Sequence, residues 1–84
     1  MSKQQKLVRR FLSKPNDFTW SELKTLLVGF GYCESSGGKT GGSRRRFTHP
    51  QRGPIMLHKP HPDETLKMYQ VTQIITHLKG ERLI

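Results

Sequence analysis

Short apolar runs alternate with polar and glycine-rich breaks along this chain, and the spacing of the apolar positions predicts six elements. Leu7, Val8, Phe11 and Leu12 recur at helical intervals among Lys6, Arg9 and Arg10, until Pro15 closes the segment. That pattern is a short amphipathic helix with a basic back, marginal alone, which either packs on the domain or docks elsewhere. The second helix has the clearest start. Thr19 stands three residues before Glu22, as in a capping box, and Phe18 and Leu23 occupy the positions that staple across it. Trp20, Leu23, Leu26, Leu27 and Phe30 trace one face, and Gly31 stands where a left-handed C-cap belongs, predicting a helix over 20–30.

Beyond Gly31 the period shortens. Tyr32-Cys33-Glu34, Arg44-Arg45-Arg46-Phe47-Thr48 and Ile55-Met56-Leu57-His58 are separated by Gly/Pro turns and read as three short strands. In the third, Ile55 and Leu57 point one way and Met56 and His58 the other. In the second, Arg44 and Arg46 share a face, while Arg45 falls beside Phe47 on the core side and is expected to snorkel to an edge. A last helix is expected to begin near Asp63 or Thr65, with Leu66, Val71, Ile74, Ile75 and Leu78 as its stripe and Gly80 at its end. The order predicts an α+β fold: a three-stranded antiparallel sheet packed on helices, with an extra N-terminal helix. Residues 1–15 are read as an N-terminal extension and 16–84 as the domain.

Charge changes the picture more than size does. The 84 residues suffice for one small domain, and 15 Lys+Arg against 6 Asp+Glu leave a formal net charge of +9. A surface charged for solubility alone seldom needs so lopsided a balance, so a polyanionic partner is expected. Cys33 stands alone, the first six residues lack the apolar core of a signal peptide, and no run approaches the ~20 residues of a membrane span. A cytoplasmic protein with no membrane partner is the expectation.

The charge is concentrated. Lys39 to Lys59 contains six Lys/Arg residues, three Gly, two His and no acid. A glycine-rich turn that runs into three consecutive arginines suits a polyanion whose phosphates approach the backbone, and histidines move protons near neutral pH. Together they suggest RNA, with one basic docking surface, and RNA cleavage. Gly38-Lys39-Thr40 imitates the tail of a P-loop, but Cys33 stands where its first glycine belongs. Cys33, His58 and His61 match no common zinc spacing, so no metal and no small-molecule cofactor are expected.

Ser21-Glu22-Leu23-Lys24, Leu27, Gly31-Tyr32, Gly42-Ser43, Phe47, His49-Pro50 and His58-Lys59-Pro60-His61-Pro62 follow one another in an order that resembles the HicA family. Leu66 and Val71 of the closing helix extend the likeness, which leaves out the N-terminal helix. The resemblance implies a fold like a double-stranded-RNA-binding domain and a metal-free endoribonuclease (an mRNA interferase) that blocks translation. It also implies an acidic HicB-like antitoxin as partner. Where the family commonly reads Gly-Ser-His, with the histidine as presumed catalyst, this chain reads Gly42-Ser43-Arg44. Arginine stays protonated and cannot take a proton from a ribose 2′-hydroxyl, although it can stabilise charge on a phosphate.

The proton work then falls to other residues. His58 ends a strand beside the arginine strand and faces away from the core, and His61 stands in a loop stiffened by Pro60 and Pro62. These two are the catalytic candidates. His49 lies in a turn, and His77 lies in the last helix as a structural or exposed residue. Lys39, Gly42, Ser43, Arg44, Arg46 and Lys59 are the candidate RNA-binding residues. The rival reading is a module that binds RNA or antitoxin without cleaving.

Overall fold

The computed structural model describes residues 3–36, 44–60 and 63–84. Its elements run α1 (Lys3–Leu12), α2 (Trp20–Gly29), β1 (Cys33–Ser36), β2 (Arg44–Thr48), β3 (Ile55–His58) and α3 (Met68–Gly80). The strands form one antiparallel meander in the order β1-β2-β3, with Ser35 opposite Arg46, Arg46 opposite Met56 and Arg44 opposite His58. Phe47, Ile55 and Leu57 are buried in the core beneath the helices, whereas Ser35, Arg46, Met56 and His58 are exposed. The sheet therefore has one covered face and one open face, and the strand alternation read from the sequence holds. Three helices with a three-stranded antiparallel sheet make the α+β fold of the double-stranded-RNA-binding-domain type, carrying an additional helix at the N-terminus.

Local chemistry explains where α2 starts and stops. The Thr19 hydroxyl accepts from the Glu22 amide (3.2 Å) while the Glu22 carboxylate accepts from the Thr19 amide (3.0 Å). Phe18 and Leu23, the staple pair, are fully buried. At the other end Tyr32 N–H donates to Leu27 O and Gly31 N–H to Val28 O, a Schellman closure with Gly31 at φ 99°. Tyr32 is thus the buried residue that follows the cap, and β1 begins one residue later than the sequence suggests.

The start of the last helix differs from expectation. Asp63 Oδ1 accepts from the amide and hydroxyl of Thr65, and the chain then pairs in extended form with Thr19. Trp20 N–H donates to Glu64 O and Leu66 N–H to Phe18 O, both at 2.8 Å. This clasp holds residues 63–66 out of the helix, so α3 starts at Met68, although Leu66 is already in the core. Its far end falls at Gly80, as expected, and Arg82 takes the left-handed position (φ 60°) of a second Schellman closure.

The N-terminal helix packs on the domain. Phe11 is 1% exposed, its ring lies 4.8 Å from Phe18, and Leu7 and Val8 pack at the edge of the same core. Arg10 fastens the helix further by pairing with Asp17 (2.9 Å) and with Glu22 of α2. Among the described residues no helix is long and apolar enough to cross a membrane.

A candidate nucleic-acid interface on the open sheet face

β2 and β3 build the open face. Their register sets His58 opposite Arg44 and Met56 opposite Arg46, so His58 and Arg46 are diagonal neighbours on adjacent strands. Met56 is 58% exposed between polar neighbours, and Ser35 of β1 continues the row on the far side of Arg46. An arginine, a histidine and an apolar side chain side by side on a flat sheet offer a phosphate contact, a proton-transfer group and a surface for a base or sugar.

One buried side chain holds this row in place. Gln70, 3% exposed, accepts from the Lys67 amide (3.0 Å) and donates to the His58 carbonyl (2.8 Å). It ties the first turn of α3 to the end of β3, and so fixes the backbone that carries His58. Sequence reasoning missed it: the signal was a glutamine three residues after Lys67, at the third position of a helix whose start was placed too early.

The described basic side chains of this region do not share one surface. Lys59, next along the chain from His58, turns to the opposite side and pairs with Glu64 (3.0 Å). There it joins Lys24, Arg45, Glu34 and Glu64 around a cleft of about 420 Å³ beside the start of α2. Glu34 is the hub of that cleft, taking Trp20 Nε1–H at 3.2 Å, Lys24 at 3.4 Å and Arg45 at 3.7 Å. Arg45 thus snorkels from the core side to an edge, as its position beside Phe47 requires. Arg52 is engaged with Glu81, donating to its carbonyl at 2.8 Å. Among the described side chains the expected surface divides: Arg46 and His58 stand on the open face, whereas Lys59 joins Arg45 in a mixed-charge cleft on the helical side. Lys39, Gly42, Ser43 and His61 lie outside the described residues, and of Arg44 only the backbone is described.

The other two histidines are structural. His49 Nδ1 accepts from the Gln51 amide (3.0 Å), so the proton sits on Nε2, which lies 3.2 Å from Phe30 O and donates to it. Its ring also meets Tyr32 edge-on at 4.9 Å. His77 stands 3.4 Å from the Tyr32 hydroxyl, whose pKa is pushed up by burial and by the charge of Glu81, against the opposing pull of Arg52. Both rings brace Tyr32 rather than the open face. Among the described residues no three His, Cys, Asp or Glu gather as a metal site would require.

No curated protein and no solved structure matches the chain. The family described as "HicA toxin of bacterial toxin-antitoxin" matches residues 20–79, from the first turn of α2 almost to the end of α3. That span contains the whole sheet and its open face and leaves α1 outside. With a match over most of its length, the chain belongs to the HicA family, the toxins of bacterial toxin–antitoxin systems.

Proposed function

We propose that this toxin binds mRNA across the open face of its sheet and cleaves it without a metal, and that an acidic HicB-like antitoxin restrains it. The observation that carries the reading is the register of β2 and β3, which aligns exposed His58 with Arg44, the position of the family's usual histidine. An imidazole thereby stands one strand away from the position the substitution changes. In the reaction His58 takes the proton of a ribose 2′-hydroxyl as its oxygen attacks the adjacent phosphorus. The bond to the 5′-oxygen breaks, and that oxygen leaves with a proton from a second acid, the role assigned to His61. The products are a 2′,3′-cyclic phosphate and a free 5′-hydroxyl. Arg44 and Arg46 offset the charge that grows on the phosphoryl oxygens.

A second reading keeps the binding and drops the reaction, and Arg44 itself favours it, since arginine cannot serve as the base. Incubation with single-stranded RNA in EDTA separates the two. Fragments with cyclic-phosphate ends, reduced about 100-fold or more in His58→Ala, are the expected result. RNA bound but left intact would select the second reading, and cleavage unaffected by His58→Ala would remove His58 from the site.

A further inference from the structure

The helix outside the family match creates a feature of its own. Between α1 and α2 runs an open groove of about 410 Å³, lined by Lys3, Lys6, Leu7 and Arg10 on one side and Ser21, Glu22 and Thr25 on the other. Its surface is mainly apolar, from Leu7 and from the hydrocarbon stems of the basic side chains. Most polar groups in it are already satisfied from within. Arg10 pairs with Asp17 and Glu22, the Glu22 carboxylate also takes the Thr19 amide, and the Thr25 hydroxyl donates to Ser21 O. Burial draws the Glu22 carboxyl upward, but the Thr19 hydrogen bond and Arg10 outweigh it and hold it below its ordinary value. Lys3 and Lys6 are the exceptions: both are exposed, and neither has a carboxylate partner among the described residues.

We propose that this groove docks an acidic amphipathic segment of the antitoxin, with one apolar side chain over Leu7 and carboxylates on Lys3 and Lys6. Charge complementarity names the occupant. α1 carries Lys3, Lys6, Arg9 and Arg10 and no acid, so its rim selects negative charge, while the apolar floor selects a side chain that a phosphate backbone lacks. RNA is the weaker candidate on position as well, because α1 packs on α2 and α3, behind the sheet from the open face. The inference rests on membership of a toxin–antitoxin family and not on the cleavage reaction. An antitoxin held here has a second foothold that does not compete with RNA, and two linked contacts hold far more tightly than either alone.

The test uses the full-length chain and a synthetic helical peptide with leucines at i, i+3 and i+4 and glutamates elsewhere. Nitrogen-15 NMR should show the peptide shifting the amides of Leu7 and Thr25. Affinity should drop about tenfold in Lys3→Gln/Lys6→Gln, and about tenfold for a control peptide with serine in place of leucine. A single-stranded RNA titrated into the same variant should lose less than about threefold. Shifts confined to the open face, equal binding of the serine control, or RNA weakened as much as the peptide would each overturn the proposal. Docking that persists in a protein with no cleavage activity would uphold it while the reaction falls.

Discussion

Gly31 and His49 constrain each other at a single point. At φ 99° Gly31 occupies a conformation that L side chains resist, and a Cβ added there would sit 2.9 Å from His49 Nε2. That nitrogen donates to Phe30 O, so Gly31→Ala strains the backbone and displaces a hydrogen bond together. A loss of about 2 kcal/mol is expected in urea unfolding, and an unchanged midpoint would contradict the close approach. Glu22 gives a second test at this scale. Its folded-state pKa is depressed, so it contributes stability above its unfolded value of about 4.3, and that contribution fades as pH falls through the folded value. Unfolding midpoints of wild type and Glu22→Gln should differ at pH 7 and converge in acid. A gap that persists at low pH would deny the shift.

Among the elements, α1 is the one whose standing changes most. The sequence left open whether it packs or docks elsewhere, because a periodic stripe shows that a face is buried but not against what. Phe11 answers the question, sitting in the core against Phe18. Phe11→Ala should therefore cost about 3 kcal/mol and lower Tm by roughly 15 °C. A Tm within a few degrees of wild type would mean that α1 is only loosely attached. The link between α3 and β3 carries a functional prediction. Gln70→Glu keeps the acceptor for the Lys67 amide but removes the donor to His58 O, so cleavage should slow about tenfold while RNA affinity holds within about threefold. Unchanged cleavage by the folded variant would deny Gln70 a positioning role. α2 was legible to within one residue of its end, because its start and stop signals are local: Thr19 with Glu22, then Gly31. The start of α3 was not, since residues 63–66 obey a long-range pairing with Thr19 that no window along the chain contains. The end of α3 at Gly80 was legible, and the left-handed turn that closes it follows two residues later, on Arg82.

At the scale of the molecule, a strongly basic chain resolves into two sides with different chemistry. Strand alternation was readable, so the separation of Arg45 from Arg46 and the outward direction of Met56 and His58 were foreseen. The fate of Lys59 was not, because it depends on Glu64 being brought back by the clasp onto Thr19. The open face carries Arg46, Met56 and His58, whereas the helical side carries the mixed-charge cleft and the α1–α2 groove. Methyl groups report directly on which side nucleic acid takes. Met56 is exposed on the sheet face, and Val28, 52% exposed, stands on α2. With carbon-13 labels on both, titration of a short single-stranded RNA under conditions too brief for cleavage should move the Met56 methyl resonance and leave Val28 in place. Movement of Val28 with Met56 unmoved would contradict the open face as the RNA surface.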